Sequence, residues 1–147
     1  MNVYRAGTEN AEAVGILFNE YRIFYRQTPD PEGAERFIRE RIEKEESVVF
    51  CAETEDGQMA GFVQLYPIFT SVGMKRAWLL NDLFVSEPFR KLGAGQQLLD
   101  QAADWCKETE AAYITLETAA DNRGAQRLYE KNGYKRNEDF YVYSHSF

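Results

Sequence analysis

A chain of 147 residues suits one hydrophobic core, and 44% hydrophobic and 14% aromatic residues give it ample material to fill that core. The formal net charge of -7 speaks against nucleic acid as the main ligand, because binding a phosphate backbone takes a basic face; a cationic partner such as an amine or a basic peptide fits the sign better. No apolar run is long enough to span a membrane and no charged-then-apolar leader opens the chain, so no membrane partner and a cytoplasmic location are expected.

Residues 2–6 read as a first strand. Thr8 or Asn10 can cap a helix whose apolar face is Val14, Leu17, Phe18, Tyr21 and Phe24 or Tyr25. Thr28-Pro29-Asp30-Pro31 breaks that helix, and Asp30 caps a second one with Pro31 at its first position. Ala34, Phe37, Ile38 and Ile42 form its buried stripe. Residues 47–52 are a strand, Asp56-Gly57 a turn and residues 59–66 the returning strand of a hairpin. Pro67 opens a loop to Lys75, and residues 76–86 form the next strand. Beyond a glycine turn comes a helix ending near Lys107, with Leu98, Leu99, Ala102, Trp105 and Cys106 on its apolar side. Residues 113–118 are another strand, Asp121 or Asn122 caps a helix that stops at Asn132-Gly133, and residues 134–136 and 140–146 read as two closing strands. Cys51 and Cys106 fall in apolar segments and read as free thiols. The only histidine is His145, so no Cys/His cluster can hold a metal. The order β-α-α-β-β-β-α-β-α-β-β implies a single α/β domain over residues 1–147 with a mixed sheet.

The chemistry concentrates in Val85-Ser86-Glu87-Pro88-Phe89-Arg90-Lys91-Leu92-Gly93-Ala94-Gly95-Gln96-Gln97-Leu98-Leu99. A strand feeding a glycine turn feeding a helix N-terminus is an anion site, since the first-turn N–H groups point outward and the helix dipole favours negative charge. Gly93 and Gly95 admit close backbone approach, and Arg90 can add a charge-assisted contact. A mononucleotide loop would need a Lys-Ser or Lys-Thr pair, and a dinucleotide fingerprint a third glycine where Leu98 stands. What remains, Arg-x-x-Gly-x-Gly after a strand, resembles the pyrophosphate loop of the Gcn5-related N-acetyltransferase (GNAT) superfamily. The later segment Asn122-Arg123-Gly124-Ala125-Gln126-Arg127-Leu128-Tyr129-Glu130-Lys131-Asn132-Gly133-Tyr134 is similar to that superfamily's Asn-x-x-Ala-x-x-Leu-Tyr-x-x-x-Gly-aromatic block.

The resemblance implies a mostly antiparallel mixed sheet flanked by helices, with acetyl-CoA wedged between two splayed strands. Its pantetheine would pair with main chain at Leu83, Phe84 and Val85. The pyrophosphate would lie over Arg90, Lys91, Leu92, Gly93, Ala94, Gly95 and Gln96. Tyr129 would give the leaving thiolate its proton, and a phenol with pKa about 10 can do so when held close. Asn122 would cap its helix and bond the cofactor amide, although the cap alone explains it. Where many relatives carry a glutamate base, this chain has Asn81, which cannot take a proton. An alkylamine with pKa about 10.4 is neutral only about one part in 2,500 at pH 7, a penalty of about 4.6 kcal/mol. Asp82 and Glu117 are the candidate bases, and strand alternation puts Asn81 and Asp82 on opposite faces.

Acceptor contacts would come from Glu20, Tyr21, Tyr25, Asp30, Tyr66 and the Ser71-Val72-Gly73-Met74 loop. Gln64-Leu65-Tyr66-Pro67 and the strand around Asn81 also resemble a subgroup that includes fungal histone and polyamine acetyltransferases. The function implied is acetyl-CoA-dependent acetylation of a primary amine of small-molecule, polyamine, amino-acid or lysine type. Asn81 keeps open the alternative of a non-catalytic acyl-CoA sensor. A homodimer is expected from the resemblance only.

Overall fold

The computed structural model describes residues 1–147, which sort into two compact units, Met1–Glu117 and Thr118–Phe147. The first unit is built on a five-stranded sheet in the order β1 (Asn2–Arg5), β2 (Val48–Glu53), β3 (Met59–Thr70), β4 (Lys75–Val85) and β5 (Ile114–Thr115). The first four strands pair antiparallel and β5 joins β4 parallel, giving the mixed sheet expected. Between β1 and β2 run α1 (Ala11–Phe24) and α2 (Pro31–Glu43), and between β4 and β5 runs α3 (Ala94–Glu108).

Period-3.6 patterning decides what each helix buries. Val14 and Leu17 of α1 and Ile38 of α2 pack with Val49, Cys51, Phe62 and Phe84 of the sheet. Asp30 Oδ1 accepts the Gly33 N–H at 3.0 Å with Pro31 in the first helical position, which fixes where α2 starts. The two helices approach closely at Gly15, where a Cβ would lie 2.8 Å from Glu35 Cα. On α3, Leu98, Leu99 and Ala102 are buried, and the Trp105 ring meets those of Phe50 and Trp78 edge-on at 5.9 and 5.8 Å. Cys51 and Cys106 are free thiols, and burial pushes both up to about 11. No helix is long and apolar enough to cross a membrane.

Three expectations are corrected. The strand expected to end before Pro67 continues to Thr70, with Pro67 opposite Trp78. Trp78 donates its N–H to Tyr113 rather than to β3, so this is a non-hydrogen-bonded pair and the proline nitrogen faces the other edge. There β2 has not yet begun, its first residue Val48 lying opposite Leu65, so no ladder donor is missed. The strand expected over residues 113–118 is only Ile114–Thr115. Finally, residues 134–136 and 140–146 form no strand, and Phe140, Tyr141, Val142 and Tyr143 are exposed. Aromatic and β-branched residues supply propensity, but a strand exists only through its ladder.

The second unit contains α4 (Arg123–Lys131). Asn122 caps it, its Oδ1 accepting the Ala125 N–H at 3.2 Å, and Gly133 at φ 89° follows its end.

Candidate active site

The site begins with a break in alternation. Gln64 pairs with Asp82 and Leu65 with Leu80, so Asn81 is an extra residue opposite nothing: a β-bulge in β4. Residues two apart in a regular strand share a face. Here the bulge sends Leu80 with Leu65 to one face and Asp82 with Gln64 to the other. Asp82 therefore sits among the α1-facing residues of the sheet, beside Phe62 and Phe84, and is 4% exposed. The expectation that Asn81 and Asp82 part company is corrected in the same stroke, because the Asn81 Nδ2 donates to Asp82 Oδ1 at 3.2 Å. Gln64 Nε2 donates to Asp82 Oδ2 at 2.7 Å.

Burial pushes the Asp82 carboxyl above the usual carboxylate range, while the donors Gln64, Asn81 and Tyr21 pull it back. Tyr66 is pushed up to about 12, by burial first and then by the charge of Asp82. The Tyr21 hydroxyl of α1 reaches the bulge, 3.5 Å from the Asn81 carbonyl. This is the environment of a buried acid that holds its proton more tightly than a surface carboxylate does.

Beyond the bulge β4 has one bare edge. β5 pairs with β4 only at Trp78 and Leu79, so from Leu80 to Val85 no strand lies on that side. Ser86 donates its N–H to Ala60 of the β3 side, so by alternation Phe84 also turns its main chain to β3. Leu83 and Val85 turn theirs to the open edge, ready for an extended amide-bearing ligand. Arg90 Nε donates to the Val85 carbonyl at 2.9 Å, and its guanidinium lies 5.6 Å from the Phe84 ring centre. That carbonyl is thus taken, leaving the Leu83 groups and the Val85 N–H to the edge.

The strand runs straight into the glycine loop. Lys91 (φ 65°) and Gly93 (φ 87°) are both left-handed, the backbone geometry from which anion-binding nests are made. Gly93 is the N-cap of α3, makes no side-chain cap and is followed by no acid in the first turn. A Cβ on Gly93 would meet nothing within 4 Å, so its glycine answers the φ angle and not a lack of room. Ala94 is buried, Gly95 and Gln96 are half-buried, and Lys91 and Leu92 are exposed. No group of three or more His, Cys, Asp or Glu converges as a metal site would require.

Among the other candidates, Glu117 is exposed at the end of the first unit. Asn122 and Tyr129 belong to the second unit, the first as the α4 cap, the second with its ring 5.7 Å from that of Tyr134. Glu20 accepts the Ser86 hydroxyl at 2.8 Å, tying α1 to the end of β4. Asp30 is occupied as the α2 cap, Tyr25 is exposed, and the 71–74 loop is a solvent-facing hairpin tip. Sequence reasoning missed Gln64, which is fully buried. Its signal was a lone amide inside the apolar run Phe62-Val63-Gln64-Leu65, where burying a polar group costs free energy unless something bonds it.

The chain matches known proteins along almost its whole length. The model of a family described as acetyltransferase (GNAT) matches residues 15–134. The uncharacterized N-acetyltransferase YhfO of Bacillus subtilis is 49% identical over 143 residues, 97% of this chain and 95% of that protein. A D-amino-acid N-acetyltransferase of Saccharomyces cerevisiae is 29% identical over 137 residues, 90% of this chain and 84% of that one. A crystal structure of a probable acetyltransferase superposes with a TM-score of 0.95 at 34% identity, covering 100% of this chain and 98% of that chain.

Proposed function

Because the chain belongs to the acetyltransferase (GNAT) family and is an N-acetyltransferase, we propose that it takes its acetyl group from acetyl-CoA and passes it to the primary amine of a small molecule, with amino acids the first class to try. The observation that carries the reading is the bare edge of β4 from Leu80 to Val85, continuous with a nest-shaped loop at the uncapped start of α3. One end suits extended amides and the other a pyrophosphate, and acetyl-CoA has both, in that order from its thioester. Acetyl-CoA supplies the activated acyl group. Leu83 and Val85 align it through main chain, and the loop from Arg90 to Gln96 holds its anion through backbone N–H groups and the α3 dipole. Asp82 takes the proton the amine gives up, and Tyr129 provides one for the departing sulfur. The amino-acid class is supported by the yeast relative's activity on D-amino acids, and the amine's charge by the acidic balance of the chain.

The test is release of free thiol from acetyl-CoA with D- and L-amino acids, polyamines and lysine peptides as acceptors. Amine-dependent thiol release is expected. Binding of acetyl-CoA with no release on any amine would put an acyl-CoA sensor in the enzyme's place.

A further inference from the structure

We infer that Gln64 is a positioning residue for the transfer reaction: buried within β3 beside the Asn81 bulge, it bonds Oδ2 of Asp82 while Asn81 bonds Oδ1, and so holds in place the carboxylate that takes the amine's proton. The inference rests on the proposed function and adds the group that makes Asp82 usable there.

Gln64 is fully buried and donates to Asp82 Oδ2 at 2.7 Å, while its own Oε1 is buried without a hydrogen-bond partner. An amide in a sheet core normally satisfies both ends. This one leaves its oxygen unpaired and points its N–H at a carboxylate, so the orientation is set by Asp82 and not by the amide's own needs. The bulge is the second half of the device. Were β4 regular here, Asn81 would stand opposite Gln64, and Asp82 would fall on the Leu80 face, away from it. A buried polar pair that only fixed strand register would be served by two neutral amides; a carboxylate in that place costs more, because its charge must be desolvated.

The titratable and charged groups facing Asp82 are Tyr21 of α1 and Tyr66 of β3, with Arg41 acting on Tyr66 and Glu20 held by Ser86. None of them is a cation in contact with Asp82. Amide donation is therefore the main counterweight to burial, and Gln64 is the shorter of the two amide bonds. In the reaction the amine nitrogen bonds the acetyl carbon as the carbon–sulfur bond breaks. The N–H proton goes to the Asp82 carboxylate and the sulfur's pair takes a proton from Tyr129; both residues then exchange with solvent. If Gln64 lets go, Asp82 holds its proton to higher pH.

The experiment follows the aspartate carboxyl carbons of 13C-labelled full-length protein by NMR against pH, with the Asp82 signal assigned as the one lost in Asp82→Asn. Gln64→Met keeps the length of the side chain and removes the donor; Gln64→Glu keeps the shape as well. In both, the Asp82 midpoint is expected to move to higher pH, and the acidic limb of kcat/KM to move with it, while acetyl-CoA affinity stays within about twofold. A midpoint unmoved in either folded variant overturns the inference, and so does a midpoint that moves while the limb stays. If the wild-type protein transfers acetyl to no amine, the proposed function fails by itself, and the NMR arm still decides whether Gln64 governs Asp82. A merely structural Gln64 would lower the melting temperature and leave midpoint and limb where they were.

Discussion

Asp82 is a carboxyl group that the fold holds out of water and steadies with two amides, and in the proposed reaction both facts bear on rate. Asp82→Asn keeps the shape and removes the proton acceptor. Turnover is expected to fall by roughly 10²–10⁴-fold, the usual contribution of a general base, with acetyl-CoA affinity little changed. Steady-state kinetics beside a binding isotherm check this, and undiminished turnover would return the role to Glu117. Arg90 anchors the loop by its bond to the Val85 carbonyl and leaves its remaining N–H groups outward. Arg90→Ala should weaken acetyl-CoA binding by about 1.5–3 kcal/mol, the range for a hydrogen bond to a charged group. Tyr129→Phe should reduce turnover far more than affinity, which separates a proton donor from a packing ring. At this scale the sequence offers Asp82, Arg90 and Tyr129 as candidates, because each is a reactive type beside a motif. It hid Gln64, whose role depends on a partner 18 positions away across a strand pair.

At the scale of elements, the glycine loop and the bulge do the positioning. Gly93 needs its left-handed φ and has open space around it, so Gly93→Ala tests conformation without a clash. A cost of about 1–2 kcal/mol is expected from thermal or denaturant unfolding, together with weaker acetyl-CoA binding as the nest distorts. Gly93→Asn should be milder, since asparagine tolerates that region better. The helices were legible nearly to the residue: Asp30-Pro31 announced the start of α2 and Asn132-Gly133 the end of α4. The strands were less so. Pro67 read as a stop and is not one, because its missing donor falls beyond the Val48 end of β2. The bulge at Asn81 left no mark at all, since alternation can be read from residue types but an inserted residue shows only when two strands are paired. Residues 140–146 show the converse, strand-forming types without a strand.

For the whole molecule, the burial of Asp82 couples stability to pH. Asp82 has a folded pKa above its unfolded value of about 3.9, so its neutral form favours the fold at low pH, and that contribution is lost as pH rises through the folded value. Asp82→Asn never ionises. The variant's melting temperature should therefore gain on the wild type as pH is raised from about 4 to about 8, the reverse of what losing a salt bridge would do. A gap that is constant or that closes with pH would mean that Asp82 is not desolvated in solution. A more stable and less active variant is the exchange expected at a functional site. The family was legible from two motifs, and the comparisons bear it out across residues 15–134. The acceptor was not, because the segments expected to contact it, in α1, α2 and the 71–74 hairpin tip, carry no motif. The measurement that tests the central claim most directly is calorimetric titration of the protein with acetyl-CoA, with an adenine nucleotide lacking pantetheine as control. One equivalent of acetyl-CoA bound, and the control bound far more weakly, is the result expected from the bare β4 edge and the α3 loop acting together; no heat with acetyl-CoA, or equal binding of both, would contradict it.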